Sequence, residues 1–103
     1  MRLPWLRVEV RGWSMVPTLV PGEWLVVRRG VPPRPGAVMV VKQAGRLVIK
    51  RVVRVDPQGV WVEGDNAEAS DDSRTYGHVA PADVVGEARW RYGPLGPLFR
   101  RVR

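Results

Sequence analysis

The amino-acid sequence predicts a mostly β protein: a single compact domain of antiparallel strands over residues 1–103. Three observations carry this reading. Valine dominates the apolar residues, and valine favours strands. No stretch repeats its apolar positions with the period of a helix. The valine-rich runs are short, and Gly or Pro bounds most of them. A chain of 103 residues holds one domain and buries a modest core without metal or disulfide.

The elements follow in order. The first strand is expected over Leu6–Arg11. The turn Pro21-Gly22 introduces the second, Glu23–Arg29. The Pro-rich connector from Gly30 to Gly36 cannot sit inside a sheet, because proline lacks the donor. Ala37–Lys42 and Arg46–Val55 read as a hairpin around Gln43-Ala44-Gly45. Gly59–Glu63 follows the turn Asp56-Pro57-Gln58. The stretch 64–77 is a loop by composition. Val84–Arg91 is the last strand, and the basic tail 93–103 is expected to be irregular at its start, at Gly93-Pro94 and Gly96-Pro97.

The longest apolar run, Ala37-Val38-Met39-Val40-Val41, is far short of the roughly 18–20 residues that span a bilayer. Arg2, Arg7, Glu9 and Arg11 interrupt the N-terminal apolar residues, which excludes a signal peptide. The expectation is a cytoplasmic protein. The alternative is a weak peripheral contact with a membrane surface through Leu3, Trp5 and Leu6.

Composition excludes several chemistries. The chain has no Cys and one His, His78. A disulfide framework, a thiolate zinc site, a cysteine nucleophile and a multi-histidine metal site are therefore out. No metal and no cofactor are expected. The net charge of +7 points to an acidic partner only once the charges are located.

The scarce residues are more informative. The only lysines are Lys42 and Lys50; the other basic side chains are arginines. Ser14, Ser70, Ser73, Thr18, Thr75 and the single Asn66 all fall in two windows, 14–18 and 66–75. In the first window Ser14 follows a strand and Gly12 and precedes a turn stiffened by Pro17. A nucleophilic serine needs such a rigid turn, with free backbone N–H groups beside it to hold an oxyanion. Taken alone, Ser14 also fits an ordinary strand-to-turn junction.

A serine nucleophile needs a base. His78 lies in a loop-like stretch and reads as a solvated side chain. Lys50 is the better candidate. Its same-face strand neighbours are Val48 and Val52, and apolar surroundings lower the pKa of an amine. A lysine base must fall from about 10.4 towards about 7–8. An arginine in its place would stay charged. Arg51 points to the opposite face with Leu47, Ile49, Val53 and Val55, and is expected to pair with a carboxylate such as Asp65 or to snorkel to water.

The second window concentrates carboxylates and hydroxyls in a basic protein. Asp72 and Arg74 can pair and fix the loop, and a serine hydroxyl there could orient the Lys50 amine. Asp65, Glu68, Asp71 and Asp72 lack the spacing and closing Glu of an EF-hand Ca²⁺ loop.

These windows resemble the ordered boxes of type I signal peptidases. The matching residues are Gly12-x-Ser14-Met15-x-Pro17-Thr18-Leu19, then Lys50-Arg51, then Gly64-Asp65-Asn66 with Ser70-x-Asp72-Ser73-Arg74-x-Tyr76-Gly77-x-Val79. Pro21-Gly22-Glu23 before Trp24-Leu25-Val26-Val27 also fits. The resemblance runs from about Gly12 to Gly86. It implies a signal-peptidase-like catalytic β domain and a serine endopeptidase acting on a precursor polypeptide. Ser14 would be the nucleophile, Lys50 the general base and Ser70 the group that orients the Lys50 amine. Gly12, Met15 and Pro17 would border the cleft and oxyanion site, with the Ser14 N–H as a donor. Arg51, Asp65, Asn66, Asp72 and Arg74 would support the site.

The sequence departs from that pattern in places. Ala67 and Glu68 stand where many members carry Arg and Asp. Gly12 stands where some place a second oxyanion donor. The segment 51–63 is too short for a large accessory β domain, and the usual N-terminal anchor is not expected here. Among such enzymes, a short anchorless chain with Arg89-Trp90-Arg91-Tyr92-Gly93-Pro94 most resembles the nickel-type superoxide dismutase maturation proteases, which are held to remove an N-terminal propeptide.

Two other functions fit parts of the sequence. A basic β-barrel could bind single-stranded nucleic acid through its arginines and Trp5, Trp13, Trp24, Trp61 and Trp90; the acidic loop argues against it. A self-cleaving repressor relative would share the Ser-Met and Lys features. The short segment before Ser14, the Pro-Thr-Leu box and the Gly-Asp-Asn box favour the peptidase.

Overall fold

The computed structural model describes residues 3–94 and 98–103. Among these residues seven strands form one antiparallel sheet. They are β1 (Trp5–Glu9), β2 (Trp24–Arg29), β3 (Val38–Gln43), β4 (Arg46–Asp56), β5 (Gly59–Glu63), β6 (Val84–Tyr92) and β7 (Arg100–Arg101). The order is β1-β2-β6-β3-β4-β5, with β7 added on β6. β3 pairs with residues 84–87 of β6, and β7 with Trp90 and Arg91.

The strands fall within one or two residues of the expected bounds. β7 is the addition: the tail returns to the sheet at its end, where Val102 N–H donates to the Arg89 carbonyl at 2.9 Å. The expected break at Gly96-Pro97, like Arg2 at the other end, lies outside the described residues.

The apolar run 37–41 is continuous because β3 is buried on both faces. Val38 and Val40 join Met15, Leu19, Leu25 and Val27 in one core cluster. Met39 and Val41 join Val52, Val60, Val62 and Val79 in a second. Gln43 pairs with Arg46, so the β3–β4 turn is the two residues Ala44 and Gly45. Both have positive φ, 51° and 76°, which matches the twist of a hairpin.

The Pro-rich connector is tied down. Gly30 N–H reaches the Val85 carbonyl at 3.1 Å and Gly36 N–H the Val52 carbonyl at 2.8 Å. Arg34 pairs with buried Glu87 at 2.5 Å.

The arginine-rich character has a local explanation. Arg7 stacks on Trp24, Arg28 on Trp5, Arg54 on Trp61 and Arg101 on Trp90, at 4.3–5.4 Å from the ring centroids. A planar guanidinium covers an indole better than an ammonium does. Trp5 and Leu3 are exposed. Leu6, grouped with them in the expectation of a membrane contact, packs inward against the first core. Among the described residues no helix is long and apolar enough to cross a membrane.

Candidate active site

Ser14 sits in the turn segment that follows β1 and Gly12, after the chain has left the sheet. Gly12 turns the backbone with φ +75°, a conformation in which a Cβ is strained. The following residues form tight turns, with Val16 N–H on the Trp13 carbonyl (3.2 Å) and Leu19 N–H on the Met15 carbonyl (2.9 Å). Met15 and Leu19 anchor this turn in the first core. The acidic loop holds it from outside. Asn66 N–H donates to the Ser14 carbonyl at 2.8 Å, and Asn66 Nδ2 to the Trp13 carbonyl at 3.0 Å. Among the described residues the Ser14 N–H has no protein acceptor, so it is available to a developing oxyanion.

Lys50 lies on β4 opposite Met39 and is 4% exposed. Its Nζ donates to Ser70 Oγ at 2.9 Å. Ser70 Oγ in turn donates to Asp72 Oδ2 at 2.5 Å. The single hydroxyl proton is thus committed to the carboxylate, and only a lone pair faces Lys50. Asp72 is itself fully buried. It accepts Gly64 N–H at 2.8 Å and the Arg74 side chain at 3.0 and 2.7 Å, and its contact with Arg74 N–H starts a short helix, α1 (Ser73–Tyr76). Asp72 and Arg74 therefore build a platform for Ser70, in a stretch that composition alone had as loop.

The electrostatics follow from this geometry. Burial lowers the Lys50 pKa from the ordinary lysine value; Asp72 and Asp71 oppose the shift and Arg74 adds to it. Burial disfavours the Asp72 anion, but the bonds from Arg74, Ser70 and Gly64 outweigh it and hold its carboxyl below the usual range. The site thus keeps one carboxylate charged and makes one amine easier to deprotonate.

Ser14 and Lys50 line the same groove of about 770 Å³. Among the described residues no hydrogen bond joins them. Catalytic hydrogen bonds often tighten only when substrate is bound.

The comparisons with known proteins converge on one class. The profile of the Peptidase S24-like family matches residues 4–87, which include both windows. The chain belongs to the Peptidase S24-like family. The mitochondrial inner membrane protease subunit 1 of Xenopus tropicalis is 44% identical over 54 residues, covering 50% of this chain and 32% of that protein. The mitochondrial ATP-independent inner membrane protease subunit 1b of Arabidopsis thaliana is 32% identical over an aligned length of 122 residues, covering 84% of this chain and 72% of that protein. The chain thus spans about a third of the first relative's length and 72% of the second's.

Within this peptidase-family fold, Arg51 and Asp65 form a second support beside the Asp72–Arg74 platform. Arg51 pairs with Asp65 through two bonds of 2.9 Å and also bonds the Gly36 carbonyl at 2.8 Å. Asp65 accepts the Thr18 hydroxyl at 2.5 Å. This links β4 directly to the Ser14 turn. On the Arg51 side of β4, Ile49 packs against the first core beside Val40, whereas Leu47 before it and Val53 and Val55 beyond Arg51 are exposed. A bulge at Val53 breaks the alternation there, since Val52 pairs with Val62 and Arg54 with Trp61. Met15 is a core residue that reaches the groove. Pro17 is exposed and does not line the groove. His78 is not a free loop side chain: it bonds Asp56 at 3.0 Å and meets the edge of Trp61.

Sequence reasoning missed what Gly64 and Thr18 do. At Gly64 a Cβ would lie 2.6 Å from the Ser14 carbonyl oxygen and press on Ser70 as well. Only glycine lets the loop approach the Ser14 turn this closely. Gly64→Ala is expected to displace Ser70, to cost about 1–3 kcal/mol as overpacking does, and to lower the cleavage rate more than the thermal midpoint alone explains. Rates and melting curves on the purified variant check this; wild-type activity would contradict it. The signal for Thr18 was present in the scarcity of hydroxyl residues.

Proposed function

We propose that this chain is a serine endopeptidase with a Ser14–Lys50 dyad that removes an N-terminal segment from a precursor polypeptide. One observation carries the reading: a buried amine of lowered pKa, aimed by Ser70 and Asp72, lines the groove where Ser14 sits on an unpaired backbone N–H. Family membership supports the same class.

The steps follow from the groups present. Neutral Lys50 takes the proton of the Ser14 hydroxyl as Oγ attacks the scissile carbonyl. The Ser14 N–H stabilises the oxyanion. Lys50 returns the proton to the leaving amine, the C–N bond breaks, and an acyl ester on Ser14 remains. Water then attacks the ester, Lys50 takes its proton, and Ser14 regains the proton as the acid departs. A neutral amine with one N–H held by Ser70 has its lone pair free for this work.

The finer reading is a maturation protease for a nickel superoxide dismutase precursor. It rests on the sequence resemblance around residues 89–94 and on the lack of room for an accessory domain between Lys50 and Gly64. A nucleic-acid function has less support, because four of the indoles are already stacked by the chain's own guanidinium groups.

The test is the pH dependence of cleavage of an internally quenched peptide drawn from a precursor library. The reacting form of Lys50 is neutral, and its pKa is lowered. The rate should therefore rise about tenfold per pH unit and level off below the ordinary lysine value of 10.5. A rate that is flat with pH, or a chain that cuts only itself by intact mass, would exclude this reading.

A further inference from the structure

On the reading of Ser14 as nucleophile, we infer that the pair of buried Glu23 and half-buried Arg91 is a positioning device for the Ser14 turn. Glu23 is fully buried. Arg91 on β6 bonds both its carboxylate oxygens at 2.7 Å. The remaining Arg91 nitrogen, Nη1, donates to the Thr18 carbonyl at 2.6 Å. Glu23 Oε1 also accepts the Val20 N–H at 2.8 Å. Arg100 on β7 reaches Oε2 at 3.5 Å.

The pair thus grips the backbone at Thr18 and Val20, the far end of the segment that starts at Ser14. The near end, Trp13 and Ser14, is gripped by Asn66 from the acidic loop. The acidic loop also reaches the far end through the Thr18 hydroxyl on Asp65, but the grip on the backbone there comes from Glu23 and Arg91. Met15 and Leu19 lie between them, packed in the core. Apolar burial holds that segment in place but has no preferred direction.

Charge buried in this way is a costly choice. Desolvating a carboxylate and a guanidinium consumes most of their attraction, and a well-packed apolar pair is often as stable. What an apolar pair cannot supply is a directed bond to a carbonyl and an N–H of the nucleophile's own turn. Position, rather than net stability, accounts for the pair. The forked guanidinium is needed for it, because an ammonium cannot meet two carboxylate oxygens and a carbonyl in fixed geometry.

The test uses Arg91→Lys and Glu23→Gln in the full chain. Each is assayed on the quenched peptide well below its own melting point, with rates referred to the folded fraction. We expect kcat to fall about 10- to 100-fold, the effect of a misplaced reacting group. KM should stay within about twofold, and the pH at which the rate levels should not move, because no Lys50 contact is altered. Unchanged kcat in both variants, a loss that vanishes on correction for folded fraction, or a loss confined to KM would each overturn the inference. If either substitution prevents folding, the other carries the same measurement. Full activity of Ser14→Ala would instead overturn the dyad, which separates the two failures.

Discussion

Ser14→Ala and Lys50→Met each lower kcat by roughly 10⁴-fold, and the double variant falls no further; that is the expected result. Removing one member of a nucleophile–base unit leaves the other with nothing to do, so the effects do not add. The residual rate comes from the oxyanion donor and from substrate binding. Neither substitution should unfold the protein. Ser14 is only half-buried, and among the described residues its hydroxyl makes no hydrogen bond. Lys50→Met removes a buried amine and leaves an unbranched apolar chain of similar length beside Val48, Val52 and Met39. Lys50→Arg is the sharper control, because it preserves the charge but cannot give up its proton. It should be as inactive as the methionine variant. Initial rates, with near-ultraviolet circular dichroism to confirm the fold, decide the matter. Either single variant retaining more than about a tenth of the activity would rule the dyad out.

Asp72→Asn should produce the largest loss of stability among the site variants, about 2–4 kcal/mol by urea unfolding. The carboxylate is fully buried and serves Gly64, Ser70 and Arg74 at once. An amide has one acceptor oxygen for these donors, and its NH₂ faces donors rather than acceptors. The pH dependence of stability should change as well. In the folded protein the Asp72 carboxyl lies below its ordinary range. Its contribution is therefore complete above that range and is lost as the pH falls below it. The Asn variant should lack that part of the acid limb. Activity should respond in two ways. With Ser70 released, the plateau rate should fall by about 10²-fold. The Asp72 charge also raises the Lys50 pKa, so its removal should move the rise in rate to lower pH. An unmoved rise with an unchanged plateau would contradict this account of the platform.

Much of the fold was legible because its determinants are local. Short valine-rich runs between Gly and Pro turns marked each of the long strands, and the continuous apolar run 37–41 marked a strand buried on both faces. The short helix at Ser73–Tyr76 was not legible. It exists because Asp72 turns back to cap it, and that carboxylate is held by Gly64 and Arg74. The two-residue β7 was missed because so short a strand has no periodicity; its pairing partner, β6, makes it. Arg51–Asp65 was anticipated from the need to satisfy a charge, but the exposure of Val53 and Val55 was not, because the bulge at Val53 resets the alternation.

The candidate site divides the same way. Residue types pointed to Ser14 and Lys50: one of two lysines in an apolar strand, and a serine at a stiff turn. That much the sequence by itself determined, because propensity, alternation and the capacity to lose a proton belong to single residues and their neighbours. Which hydroxyl serves Lys50 is a different matter. Within the acidic window residue type alone left Ser70 and Ser73 equal, and only the family resemblance favoured Ser70. Ser73 accepts the Val62 N–H at 2.9 Å, and Ser70 meets Lys50. The grip of Glu23 and Arg91 on the turn, and the lowered pKa of Lys50, likewise arise only from the tertiary structure. Each depends on groups far apart in the chain meeting within 3 Å, and on the exclusion of water that makes those meetings count.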